Sequence, residues 1–229
     1  GEKPFHYFYN EQEQEFYFAS EIKALIAAGI SRMVNHQLLY DFITIGYTKN
    51  ASYPDQTFYR HIFQLPSAHY LSFRPIENIL ETGRYWDLDK ETITEMYEDQ
   101  AVEKFLELLQ DSIDKRLRSD VPIGTSLSGG LDSSSIIALT AGLKHHSYSH
   151  KAFSAVFPGF EKDESERIQK TASQFNLDLF LITPSADDLA ERMKDLLYFQ
   201  DEPFGSASVF AQFEVYRRAE KEGVKVLLD

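Results

Sequence analysis

The chain has 229 residues, room for one or two domains and for a core that needs no covalent staple. It contains no cysteine, which excludes disulfides, Cys-ligated zinc, iron–sulfur clusters and a thiol nucleophile within these residues. Its 23 Lys and Arg stand against 36 Asp and Glu, a net charge of −13 that disfavours nucleic acid and obliges any phosphate site to be built locally.

The first third reads as β-rich. The aromatic runs Phe5–Tyr9 and Phe16–Phe18 flank the polar stretch Asn10–Glu15 and predict a hairpin without a tight Asn-Gly turn. Ser20 caps an expected short helix, Glu21–Ala28, that ends at Gly29. Asn35 caps a second, with Leu38, Leu39, Phe42 and Ile43 as its apolar face and Gly46 as its stop. A loop follows from Tyr47 to Pro66. Ala68–Phe73 alternates like a half-buried strand, and Arg84–Leu88 predicts a last one. The aromatic side chains of Tyr7, Phe8, Tyr9, Phe16, Tyr17 and Phe18 are expected in a core, and Trp86 is expected to pack at a domain boundary.

The pattern changes near residue 90, which divides the chain into expected domains 1–90 and 91–229. Apolar residues at 102, 105, 106, 109, 113 and 117 predict one stripe of a long helix over Thr94–Ser119. Strands and helices then alternate: strand Val121–Leu127, helix Asp132–His145, strand Ala152–Phe157, helix Asp163–Phe175, strand Leu177–Ile182. Two helices, Ala186–Phe199 and Val209–Lys221, precede a last strand, Val224–Leu228. Such alternation predicts parallel βαβ units and a doubly wound α/β sheet. No run approaches the roughly 18 apolar residues of a membrane span, and Gly1-Glu2-Lys3-Pro4 has no apolar leader. No membrane or nucleic-acid partner is expected, and the cytoplasm is the expected location.

The chemistry-bearing segment is Ser126-Leu127-Ser128-Gly129-Gly130-Leu131-Asp132-Ser133-Ser134, placed where an apolar strand ends and a helix begins. In a doubly wound sheet, ligands bind beyond the carboxyl ends of strands. Gly129 and Gly130 allow positive φ and close approach to a ligand. The hydroxyls of Ser128, Ser133 and Ser134 and the free N–H groups of the helix start would surround an anion such as pyrophosphate. Asp132 has the wrong charge to touch phosphate, which points to a bridging Mg²⁺. Neither a Walker A loop nor a Rossmann G-x-G-x-x-G is present. The alternative is a glycine turn before a capped helix, with no ligand. His145-His146 is read as a solvated helix end, and Asp163-Glu164-Ser165-Glu166 as a solvated first helical turn.

Ser128-Gly129-Gly130-Leu131-Asp132-Ser133-Ser134 resembles the pyrophosphate loop of ATP-pyrophosphatase-type synthetases. Gly1–Phe5, Phe18–Leu25, Ile62–Pro66 and Tyr85–Leu88 resemble the end of a class II, Ntn-type glutaminase domain. Phe153-Ser154-Ala155, Asp201-Glu202-Pro203-Phe204 and Gly223–Leu228 complete an ordered likeness to glutamine-hydrolysing asparagine synthetases. The resemblance implies the later part of a β-rich glutaminase domain followed by an adenine nucleotide alpha hydrolase-like domain. It implies ATP and Mg²⁺ as cofactors, and aspartate with glutamine or ammonia as substrates. Aspartate would become β-aspartyl-AMP with release of pyrophosphate, and ammonia would attack. Leu127 through Ser133 would hold ATP and pyrophosphate, the backbone of Leu127 and Ala155 would border adenine and ribose, and Asp132 would be a Mg²⁺ ligand.

By the same resemblance Asp201 and Glu202 would lie near the synthetase cleft; an acidic turn that merely ends a helix before Pro203 stays open as the alternative. The family's nucleophilic Cys and its downstream G-x-G-x-D-E segment are not among these residues. The expectation is therefore a piece of a longer enzyme, inactive by itself and poorly soluble because of an unpaired sheet edge. A homodimer is one assembly this reading admits. A related amide-forming synthetase, β-lactam synthetase-like or a biosynthetic amidotransferase, and an inactive nucleotide-binding module are the alternative functions.

Overall fold

The structure is a computed structural model and describes residues 3–143, 148–161 and 163–229. The chain divides into two compact units, Gly1–Ile93 with Met193–Ser206, and Thr94–Arg192 with Ala207–Asp229.

In the first unit, β1 (His6–Asn10) and β2 (Glu15–Ala19) form the predicted hairpin, paired from His6↔Ala19 to Asn10↔Glu15. The turn works without Asn-Gly because the Asn10 side chain accepts the N–H groups of Gln12 (3.1 Å) and Glu13 (3.3 Å). α1 (Ile22–Ala27) buries Ile22 and Leu25, which pack with Ile30 and Ile62. α2 (His36–Ile45) starts as expected, with Asn35 Oδ1 accepting the Leu38 N–H at 3.3 Å, and stops at Gly46. Of its expected apolar face Leu38 is buried, Leu39 and Phe42 are half-buried, and only Ile43, at 72% exposure, faces outward.

Within the expected loop Tyr47–Pro66, a short strand β3 (Phe63–Gln64) joins β1, giving the order β2-β1-β3. β4 (His69–Arg74) pairs antiparallel with β5 (Ile79–Arg84). The expected strand Arg84–Leu88 is therefore displaced: β5 ends at Arg84, and Tyr85, Trp86 and Leu88 are exposed. Gly83 made the true strand look weak. It faces Tyr70, whose ring would lie 2.6–2.8 Å from any Cβ placed there. Trp86 is not packed as expected. Of the six aromatics expected in a core, Tyr7 is buried, Phe8, Tyr9, Phe16 and Tyr17 are half-buried, with Phe16 stacked on Phe73 at 4.6 Å, and Phe18 is exposed.

The second unit begins with α3 (Glu98–Arg116), four residues later than predicted, after an extended Tyr97 whose N–H donates to Gln100 Oε1. Of the expected stripe, Ile113 and Leu117 are buried, whereas Val102, Phe105 and Leu106 are exposed. β6 (Ile123–Ser126), β7 (Tyr148–Ala155), β8 (Asp178–Ile182) and β9 (Val226–Leu228) form an all-parallel sheet ordered β8-β7-β6-β9. α4 (Leu131–Gly142) and α5 (Ser165–Gln174) cover one face, where Ile137 and Ile168 meet Leu127, Ala152 and Val156. α7 (Ser208–Lys221) covers the other, where Val215 and Ala219 meet Phe153. The neighbours Ala152 and Phe153 thus serve opposite cores, as strand alternation requires. This is the doubly wound α/β sheet that the alternation predicts.

β7 begins before the expected Ala152 because its polar residues find partners: Ser149 donates to Ile123 O at 2.9 Å and Lys151 Nζ to Glu222 O at 2.8 Å. α6 (Ala186–Gln200) starts in the second unit and ends in the first. In the second unit Arg192 on α6 pairs with Asp188 (2.8 Å) and with Glu214 of α7 (3.2 Å). The His145-His146 helix end lies outside the described residues. Among the described residues, no helix is long and apolar enough to cross a membrane.

Candidate functional site

The sheet order sets where a ligand fits. The chain builds β6, β7 and β8 outward on one side and then returns to place β9 on the other side of β6. The carboxyl end of β6 is therefore the switch point at which loops diverge and leave a crevice. The segment Leu127–Gly130 leaves β6 at that point.

Leu127 continues the ladder, its N–H donating to Phe153 O at 2.9 Å, and its carbonyl accepts the Ser154 hydroxyl. The first loop residue is thus fixed from both sides by β7. Gly129 then turns the chain at φ +77°. A Cβ there would lie 3.1 Å from Ile168 Cγ1 and 3.2 Å from Glu164 Cβ, so the loop rests directly on the start of α5. Gly130 is the N-cap of α4 and supplies no side-chain cap.

Inside the loop the Ser128 and Ser133 hydroxyls are 3.0 Å apart, and Ser128 Oγ receives the Gly130 N–H at 3.4 Å. Ser133 is buried, and Ser128 is exposed. The first intrahelical bond runs from Ser134 N to Gly130 O at 3.2 Å. The N–H groups of Leu131, Asp132 and Ser133 find no acceptor among the described residues. They are the free donors of a helix start, carrying its positive partial charge. A Cβ on Gly130 would meet Ser128 Oγ at 3.3 Å, crowding the hydroxyl side of this cradle. The arrangement fits a multiply charged anion such as a pyrophosphate.

Leu131, at 83% exposure, contributes its backbone and not a packed side chain. The Asp132 carboxylate is exposed and has no hydrogen bond or ion pair with the described residues. One carboxylate beside an anion cradle suits a Mg²⁺ held mainly by phosphate oxygens and water. Among the described residues no group of three metal-ligating side chains stands ready. Ala155 ends β7, opposite Ile182, with its half-buried backbone at the same sheet edge as Leu127.

Leu127, Ser128, Gly129, Gly130, Leu131, Asp132, Ser133 and Ala155 all belong to this one edge. Asp201 and Glu202 belong to the first unit, where Asp201 Oδ2 accepts the Ile22 N–H at 2.9 Å and Glu202 Oε1 accepts the Phe58 N–H at 2.7 Å. Burial pushes the Glu202 carboxyl above its ordinary range, against the Phe58 N–H, which favours its charge. Ser154, part of the Phe153–Ala155 likeness, holds the loop through the Leu127 carbonyl, and Glu164, expected in a solvated helical turn, is half-buried beneath Gly129.

The asparagine synthase family model matches residues 104–229, and a glutamine amidotransferase domain model matches residues 1–86. Glutamine-hydrolyzing asparagine synthetase 3 of Bacillus subtilis is 32% identical over 224 residues, which are 91% of this chain and 35% of that protein. A putative glutamine-hydrolyzing asparagine synthetase 2 of Methanocaldococcus jannaschii is 29% identical over 225 residues, 96% of this chain and 42% of its own. Amidase chry2 of Gibberella zeae is 25% identical over 236 residues, 96% of this chain and 34% of its own. The chain therefore spans about a third to two fifths of these relatives. The NH3-dependent NAD synthetase of Campylobacter jejuni is 18% identical, with a TM-score of 0.35 over 58% of this chain and 56% of its own, too low to argue from. The anion cradle lies within the matched residues 104–229, which make up more than half of the chain, and on that match the chain belongs to the asparagine synthase family.

Proposed function

We propose that this chain is part of an ATP-dependent, glutamine-hydrolysing asparagine synthetase and that Leu127–Ser133 is its pyrophosphate loop. The observation that carries the reading is the cradle itself: three unpartnered helix N–H groups beside Ser128 and Ser133, behind a glycine at φ +77°. An aspartate carboxylate oxygen would attack the α-phosphorus of ATP, the bond to the β-phosphate oxygen would break, and ammonia would then displace AMP from the acyl phosphate. The protein's task in the first step is to hold the leaving pyrophosphate and offset its growing charge. Fixed backbone N–H groups do this without reorganising. Asp132 would hold Mg²⁺, which neutralises phosphate charge when bound. The backbone of Leu127 and Ala155 would border the nucleoside. ATP supply makes the cytoplasm the proposed location, and small molecules the proposed partners.

The test has two parts. On the 229-residue chain, Mg-ATP and Mg-pyrophosphate titrations by calorimetry should show binding that Gly130→Ala weakens at least tenfold. On the full parent protein, exchange of labelled pyrophosphate into ATP should require aspartate. Binding that Gly130→Ala leaves unchanged removes the loop from the site. A second reading has another carboxylic acid as the acceptor, since a relative not named for asparagine, Amidase chry2, matches over 96% of this chain. Exchange supported by a different acid and not by aspartate would select it.

A further inference from the structure

α1 begins with an unsolved capping problem. Its N-cap, Glu21, makes no side-chain capping bond. The Ile22 N–H instead donates to Asp201 Oδ2, 179 residues away, at 2.9 Å. Lys23 Nζ reaches the same oxygen at 3.3 Å, with the two side chains only 17% and 12% exposed. The next residue repeats the pattern. Glu202 Oε1 takes the Phe58 N–H at 2.7 Å, 144 residues away, and the Tyr59 hydroxyl donates to Asp201 O at 3.1 Å. One dipeptide thus accepts from two backbone amides, a phenol and the Lys23 ammonium, which also lies 3.4 Å from Glu21 Oε1. Asp201 holds φ +60° to do so, a conformation Asp tolerates at modest cost. Nearby, Lys23 Nζ also lies 5.1 Å from the Tyr198 ring centroid, so the end of α6 is held by the same lysine.

We propose that Asp201 and Glu202 form an intramolecular clasp that completes the first unit, which is a discontinuous domain whose last piece is Met193–Ser206. The matched amidotransferase model stops at residue 86. On this inference that module is incomplete without a segment carried by the synthetase half of the sequence. The carboxylates are structural, and their role is independent of what the loop at Leu127–Ser133 binds.

Amide exchange and zero-length crosslinking on the full 229-residue chain test this. In the native chain, carbodiimide should join Lys23 to Asp201, with Lys115–Asp111 (2.6 Å) as the internal control. Asp201→Ala should speed exchange of the Ile22 amide, and Glu202→Ala that of the Phe58 amide, each at least tenfold. Asp201→Asn and Glu202→Gln keep an acceptor oxygen and should restore most of the protection. Exchange across Tyr148–Ala155 should not change. Absence of the Lys23–Asp201 crosslink when the control forms would overturn the clasp, and this holds even if the alanine variants fail to fold. Loss of Mg-ATP affinity in those variants, with the Ile22 and Phe58 amides still protected, would overturn it as well, because it would return the carboxylates to a ligand.

Discussion

Gly129 and Gly130 are adjacent and do different work. Gly129 sits at φ +77° with Ile168 and Glu164 directly beneath it. Gly129→Ala combines a left-handed alanine, about 1–2 kcal/mol, with displaced packing. The expected result is a loss of about 1–3 kcal/mol in urea melts together with a loss of pyrophosphate binding. Gly130 is at φ −75°, and an added Cβ meets only a serine hydroxyl. Gly130→Ala should therefore shift the urea midpoint little and still weaken pyrophosphate binding. Glu202 gives a pH-dependent prediction. Its folded-state pKa is raised by burial, so the stability tied to its proton is present below the ordinary glutamate range and is lost as pH rises through the raised value. Glu202→Gln should gain on wild type as pH rises from about 4 to 7, and the two should converge in acid. Denaturant melts of both proteins across that range would show it. The glycines and serines of the loop were legible in the sequence because their geometry is local. Asp201 and Glu202 were not, because the groups that define them are 144 to 179 residues distant.

At the level of elements, α4 anchors the loop through its buried face. Ile137 is fully buried among Leu127, Ala152, Val156 and Ile168. Ile137→Ala should cost about 2–5 kcal/mol, read by urea denaturation, and should loosen the helix that carries the cradle's N–H groups. Most elements could be read from apolar periodicity and capping residues, as α2 shows with Asn35 and Gly46 at its two ends. The failures have local causes. β5 hid behind Gly83, which is small because Tyr70 covers it. The start of β7 hid behind Ser149, His150 and Lys151, of which Ser149 and Lys151 are satisfied by carbonyls elsewhere in the unit. Periodicity on α2 and α3 gave the helices but overstated how much of the apolar stripe is covered, since Ile43 and Phe105 face outward.

For the molecule as a whole, two compact units predict unfolding in more than one step. Trp86 is the single tryptophan and lies in the first unit, so its fluorescence reports that unit alone. Ile137→Ala should lower the midpoint followed by exchange of Tyr148–Ala155 amides and leave the tryptophan midpoint in place. Asp201→Ala should do the reverse. Coincident shifts in both signals would mean that the units melt as one. The alternation of strands and helices after residue 120 made the doubly wound sheet legible; the return of Met193–Ser206 to the first unit was not, since no composition change marks it.

That return has a consequence for biosynthesis. A ribosome adds roughly 5–20 residues per second and releases the chain from its N-terminus. Ile22 is therefore made on the order of ten to forty seconds before the carboxylate that caps it, given the 179 residues between them. Throughout that interval α1 and the Phe58–Tyr59 segment exist without these acceptors, while the β6–β7–β8 sheet is being synthesised. A segment made early is thus completed late, and a chaperone that binds nascent chains would have a long opportunity at α1 and the Phe58 segment.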